Sequence, residues 1–270
     1  MESLGPVAGV SGTTRLYAVL GDPVAQVKAP GLLNPLLSGL GLDAVVVPVH
    51  ARARDLTEVV KGLKRIGNLD GLLVTVPHKA ALCALADGLG PAAALIGTAN
   101  AMRRDPDGRW LAENFDGHGF VQGLRTAGHT VRDSHVALVG AGGAGSAIAT
   151  ALLMTGAARV SVHDTDRDRL DALLLRLGSR WPDGIRALGP GDLEAAGFAV
   201  NATPLGMRPE DPLPFDPTRV RPDAVVVDVV MKPHETALLS AAGAAGRRVH
   251  HGIHMLEQQV PCYRAFFGWP

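Results

Sequence analysis

The pattern Gly140-x-Gly142-x-x-Gly145 limits the fold of this chain more than any other feature. It closes one apolar run of strand length, Ser134 to Gly140, and opens a second, Gly143 to Thr155, rich in Ala, Ile, Leu and Met. A strand, a glycine turn and a buried helix in that order read as the start of a nucleotide-binding βαβ unit. Without Cβ atoms the turn can be tight, the backbone can approach a pyrophosphate, and helix and strand can pack closely. The N–H groups at the helix start then favour phosphate. Gly140, Gly142, Gly143, Ala144 and Gly145 are therefore candidate cofactor-binding residues. The same glycines would also suit a loop that merely packs, so the flanking pattern has to decide.

The next strand, Arg159 to His163, leads into Asp164. An acidic residue about 20 positions past the motif accepts hydrogen bonds from the adenosine ribose. Asp164 would also repel a 2′-phosphate, which predicts NAD, favoured over NADP. Its alternative role is a helix N-cap, which Thr165 could fill instead.

At 270 residues the chain has room for two domains. Its 26 Lys and Arg balance 26 Asp and Glu, so no broad field draws nucleic acid or anionic lipid. Aromatic residues are too sparse, at 4%, for a single-strand stacking platform. Cys83 and Cys262 form no metal-type cluster, and a reducing, cytoplasmic setting is expected. No apolar run reaches membrane-span length and no secretory signal is read at the start, while Met1 to Thr14 are expected to fray.

In chain order, strands are expected at 15–21, 43–50 and 70–76, with helices at 30–40, 55–66 and from 79 to about 86. Asp55 is a candidate N-cap. Thr75 and Lys79 then fall at the carboxyl end of a strand, where open α/β sheets place their ligand crevice. A hairpin around Asp105-Pro106-Asp107-Gly108 follows, then Asn114-Phe115-Asp116-Gly117 and a helix to about Ala127. Beyond the glycine unit come a helix to about Leu177, strands at 197–201 and 224–229, and a long Pro-rich loop over 209–222. A helix at 236–245, a short strand at 248–250 and a last helix over 255–266 complete the chain.

From Leu16 to Phe266, several motifs in fixed order resemble the shikimate dehydrogenase family. They are Gly21-x-Pro23, Val74-Thr75-Val76-Pro77-His78-Lys79, Gly97-Thr98-Ala99-Asn100, Asn114-Phe115-Asp116-Gly117, the glycine turn, Asn201-Ala202-Thr203-Pro204-Leu205-Gly206-Met207, and Gly252-Ile253-His254-Met255-Leu256-Glu257-Gln258-Gln259. The resemblance implies an α/β chain with a substrate domain over 1–116 and a Rossmann dinucleotide-binding domain over 117–251. It also implies that 252–270 return to the first domain. Lys79 and Asp116 match the family's catalytic pair. That chemistry suits them, because hydride transfer from a secondary alcohol requires the hydroxyl proton to leave, and a positioned amine or carboxylate can take it. As isolated residues, Lys79 would read as a solvated first-turn lysine and Asp116 as an N-cap.

By the same resemblance Thr75, Asn100 and Gln259 bind the substrate ring, Thr203 and Met207 line the nicotinamide side, and Asn201, Val229 and Gly252 join the cofactor set. The departures gather in one function. Val27, Ala29 and Met231 stand where the family has two Ser and a Tyr that hold the substrate carboxylate, and Leu73 replaces an Asn. Hydrogen bonds to a charged group are worth about 1.5–3 kcal/mol each, so losing two would cost shikimate on the order of a hundredfold in binding. A small hydroxylated ring compound lacking that carboxylate, or presenting it differently, is the expected substrate. Gln26, Lys28 or Lys232 are candidate replacement anchors, or plain surface residues.

His163-Asp164-Thr165 also departs from the Asn-Arg-Thr of NADP-using members, in line with the NAD expectation. The triplet His250-His251-x-x-His254 lacks a companion set of ligands and is read as loop histidines, not a metal site. An NAD-binding sensor that has lost catalysis is the alternative to an enzyme, and Lys79 with Asp116 argues against it. No nucleic acid or membrane partner is expected, and either a monomer or a homodimer fits.

Overall fold

A computed structural model describes residues 10–270. The chain is α/β, and it divides into two compact units, residues 1–114 with 260–270, and residues 115–259.

The first unit opens with β1 (Arg15–Gly21), α1 (Ala29–Gly39), β2 (Ala44–His50), α2 (Leu56–Leu63), β3 (Leu69–Val74) and α3 (Lys79–Leu85). It continues with β4 (Gly88–Leu89), α4 (Pro91–Ile96), β5 (Ala101–Arg104) and β6 (Trp110–Glu113). The sheet order is β2-β1-β3-β5-β6-β4. β1 lies parallel to β2 and β3, as short helical connections demand, and the hairpin strand β5 runs antiparallel to β3. Leu20, Leu56, Val60, Leu72, Leu82 and Met102 form its core.

Two local expectations change here. The side chain of Asp55 caps nothing at the start of α2. The expected fraying does not extend to Thr13 and Thr14, whose hydroxyls each donate to the Asp43 carboxylate at 2.6 Å, while residues 1–9 lie outside the described residues.

The second unit contains α5 (Asp116–Thr126), β7 (His135–Val139), α6 (Gly143–Met154), β8 (Arg159–His163), α7 (Arg167–Gly178), β9 (Ile185–Ala187) and α8 (Asp192–Ala195). Then come β10 (Phe198–Asn201), β11 (Val225–Asp228), α9 (Ala237–Ala244), β12 (Arg248–His250) and α10 (Ile253–Glu257). Every strand pairs in parallel, in the order β12-β11-β10-β7-β8-β9. This is the doubly wound order of dinucleotide-binding folds, and its strand order reverses between β7 and β10. Valines and leucines at Val136, Leu138, Val160, Val162, Val200 and Val227 bury one face against α5, α6 and α7.

Asp166 caps α7 by accepting from the Arg169 N–H at 3.0 Å, so neither Asp164 nor Thr165 has that role. The single C-terminal helix expected over 255–266 is two helices, α10 and α11 (Val260–Phe267). Pro261, which has no N–H to donate, sits in the first turn of α11, the one place where that costs nothing. In the first unit, the Trp269 indole that follows α11 donates to the Tyr17 hydroxyl at 2.8 Å.

Candidate functional site

In the first unit, polar side chains collect where β1, β3 and β5 meet their loops. Lys79 is the first residue of α3 and is only 8% exposed. It is preceded by a braced turn: the Thr75 N–H donates to Leu20 O at 2.9 Å, and the buried His78 ring contacts Ala51 O through Nε2 at 2.7 Å. Gly21 fits here because a Cβ would sit 3.2 Å from Pro23 O and closer still to the Thr75 methyl.

Asn100, just before β5, is buried and donates to the Tyr263 hydroxyl at 3.3 Å. The buried Asn114 amide donates to Thr98 O and Oγ1 at 3.1 Å each. Buried polar groups need partners, and this unit supplies them at the carboxyl ends of its strands, beside Lys79. Tyr263 was not readable from sequence as part of this set, since nothing local ties it to Asn100. Val27 is half-buried, and Ala29 is buried at the start of α1.

The second unit holds two sets. Asp116 opens α5 at 2% exposure, and the equally buried Gln259 donates to its Oδ1 at 3.3 Å. Two glycines allow this approach. A Cβ on Gly119 would lie 2.6 Å from Gln259 Cγ, and one on Gly117 would lie 2.8 Å from the Ala151 Cβ of α6. Both glycines lie within three residues after Asp116, a signal that a close helix contact was coming.

The other set lies at the switch between β7 and β10. Gly140 has φ +109°, and a Cβ on it would meet Ala202 C and O at 2.8 Å. A Cβ on Gly145 would fall on Gly140 O. At Gly142, by contrast, a Cβ would meet nothing within 4 Å, and no side chain caps α6 there. The glycine turn thus leaves open space at a helix start, which fits a pyrophosphate. Asn201 ends β10, with the half-buried Thr203 and Met207 in the loop beyond it. Gly252 packs on Val229, where a Cβ would meet the Val229 carbonyl carbon at 2.6 Å. Met231, two residues past Val229, is half-buried.

Asp164 behaves differently from its sequence expectation. One oxygen accepts from the Ala141 N–H at 2.7 Å and the other from the Asp166 N–H at 2.9 Å, while the Arg169 guanidinium lies 3.8 Å away. The carboxylate is spent on joining the glycine turn to the start of α7, and Arg167 and Arg169 are exposed beside it. The Arg169 guanidinium is shared, lying 3.2 Å from Asp166.

The His250 and His254 rings are 4.9 Å apart, His251 pairs with Glu235 at 2.8 Å, and His254 with Glu257 at 3.0 Å. Among the described residues no group of three or more His, Cys, Asp or Glu is placed to hold a metal. Burial, with the neighbouring His254, His129 and His251, pushes the His250 imidazolium down to about 4. A depressed base favours folding above its unfolded value of about 6.5 and loses that contribution as pH falls towards 4. Relative to His250→Gln, the wild type should therefore lose stability in thermal denaturation between about pH 6.5 and 4. Equal slopes would refute the assignment.

A family model described as shikimate dehydrogenase substrate binding domain matches residues 19–102. A Rubrobacter xylanophilus protein named shikimate dehydrogenase (NADP(+)) is 39% identical, over 97% of this chain and 94% of its own length. Among solved structures, Thermus thermophilus shikimate 5-dehydrogenase in complex with NADP(H) and shikimate is 30% identical with a TM-score of 0.83, covering 94% of each chain. The 5-ketofructose reductase of a Gluconobacter strain is 26% identical with a TM-score of 0.78, over 94% of this chain and 93% of its own.

These names overturn the expected preference for NAD. Relatives matched over nearly the full chain are named for NADP(+), and the Asp164 carboxylate already accepts from the Ala141 and Asp166 N–H groups, so its spacing from the glycine motif did not dedicate it to a ribose. Among the described residues no helix is long and apolar enough to cross a membrane. With the motif order, the doubly wound sheet and near full-length identity in agreement, this chain belongs to the shikimate dehydrogenase family of oxidoreductases.

Proposed function

We propose that this protein is an NADP(H)-dependent dehydrogenase acting on a ring secondary alcohol, with Lys79 and Asp116 handling the hydroxyl proton. Bound at the glycine turn, the nicotinamide cofactor supplies or accepts the hydride. Gly140, Gly142, Gly143, Ala144 and Gly145 hold its pyrophosphate, and Arg167 and Arg169 meet a 2′-phosphate. Asn201, Thr203, Met207, Val229 and Gly252 shape the nicotinamide end. Thr75, Asn100 and Gln259 bind the substrate ring hydroxyls, with residues 1–116 and 252–270 serving the substrate and 117–251 the cofactor.

The observation that carries this reading is the open glycine turn at the strand switch of a doubly wound sheet. Buried Lys79 supports the chemistry, because desolvating an amine is worthwhile where a proton must move.

The substrate's carboxylate, where it has one, is not held by residues 27, 29 and 231, which offer no hydroxyl. The Gluconobacter neighbour supports that part, being named for a ketose that has no carboxylate. Initial rates of NADPH formation with shikimate, quinate and neutral cyclic polyols are the test. Faster oxidation of a neutral polyol is expected. Shikimate turnover at an ordinary low KM would refute the altered anchor alone, and no turnover on any of them would refute the enzyme reading.

A further inference from the structure

We propose that Asp228 is a positioning residue for the cofactor crevice: its carboxylate orients the Asn201 amide and so holds the Thr203–Met207 loop beside the glycine turn. The inference rests on the reading that this crevice takes the cofactor.

Asp228 ends β11 with no exposure. Its Oδ1 accepts from Asn201 Nδ2 and from the Val230 N–H, both at 3.0 Å, and its Oδ2 accepts from the Thr236 hydroxyl at 2.7 Å. An ionised carboxylate can only accept, so the Asn201 amide must turn its NH2 towards Asp228. Asn201 Oδ1 is thereby left facing Thr203, accepting from its N–H at 3.0 Å and its hydroxyl at 2.7 Å. The Thr203 hydroxyl oxygen then accepts from the Leu205 N–H at 3.1 Å, and Asn201 Nδ2 also donates to Leu205 O at 3.0 Å.

The loop so fixed is the one whose Ala202 backbone lies against Gly140. Gly206, at φ +100°, curls back until a Cβ there would be 3.8 Å from Asp228 Oδ2. One carboxylate therefore joins the ends of β10 and β11 to the start of α9, which Thr236 caps through the Leu239 N–H at 3.3 Å.

Burial pushes the Asp228 carboxyl up to about 6, against the pull of its three donors and of His251. His251 is the titratable group facing it; its Nε2 lies 2.8 Å from Glu235 and its ring meets that of His234 edge-on at 4.5 Å. On the loop, Asp211 accepts from the Gly206 and Arg208 N–H groups at 3.0 Å.

The test compares the wild type with Asp228→Asn, which keeps shape and removes charge. Amide hydrogen exchange at Thr203 and Leu205, corrected for intrinsic rate, is followed with the KM for NADPH at about pH 8. Asp228→Asn should show weaker protection at both amides and a KM for NADPH raised roughly five- to tenfold, in the range of couplings carried through packed side chains, with a Tm near pH 8 no lower than wild type. Wild-type protection and KM in the variant would overturn the proposal. So would a Tm that drops in step with KM, because that is the mark of a residue that only holds the fold. A wild type that binds no NADPH would refute the proposed function instead, and exchange at Thr203 and Leu205 would still decide the role of Asp228.

Discussion

Gly145→Ala should leave no measurable NADPH binding, and the loss should begin in the fold. A Cβ at 145 would overlap Gly140 O, and 2.8 Å separates it from the Gly140 carbonyl carbon. Both are backbone, so no rotamer change relieves the clash. Alanine in place of glycine gains a helix up to about 1 kcal/mol, but forcing extra volume into a packed contact costs about 1–3 kcal/mol, and here the turn itself must move. Gly142→Ala separates the two uses of glycine. With φ −70° and nothing within 4 Å of its Cβ, residue 142 should accept alanine with an unchanged Tm. If a pyrophosphate approaches there, affinity for NADPH should still fall by about tenfold or more, since the methyl group occupies the ligand's place. Calorimetric titration and thermal denaturation of both variants check this. A Gly142→Ala protein that binds NADPH normally would place the phosphates elsewhere.

That contrast also shows what the sequence could and could not disclose. Residues 140–145 were legible because a turn between a strand and a helix has a local signature, and its neighbours were in sequence. The succession of most strands and helices followed from alternating apolar runs, but their order in the sheets did not. Asp164 was misread because spacing locates a carboxylate but not the direction in which it bonds. Its partner, the Ala141 N–H, is 23 positions away. Asp228 went unassigned for a related reason: its donors come from positions 201, 230 and 236, and no local pattern joins them. The break between α10 and α11 was visible in Pro261 but was outweighed by the helical spacing around it. Local chemistry reads well from sequence, and long-range hydrogen bonding does not.

Lys79→Met should lower kcat by roughly 10²- to 10⁴-fold, the ordinary worth of a positioned proton acceptor. Methionine keeps much of the side chain's length and apolar stem. Lys79 is 8% exposed, so methionine stays within a largely buried site. The backbone role of the residue survives too, since Lys79 O still accepts from the Ala99 N–H at 2.9 Å. NADPH affinity should stay at the wild-type value, because the glycine turn is built by other residues. The division between kcat and KM then identifies the role. A lysine that only held the substrate hydroxyl would contribute equally to the ground and transition states, so its loss would raise KM and spare kcat. A lysine that takes the proton acts only as the O–H bond breaks, so its loss lowers kcat and kcat/KM together. Small exogenous amines should restore part of the rate in the second case and none in the first. A variant with normal kcat and a raised KM would assign the proton to another group, and Asp116, buried against Gln259, would be the next to replace.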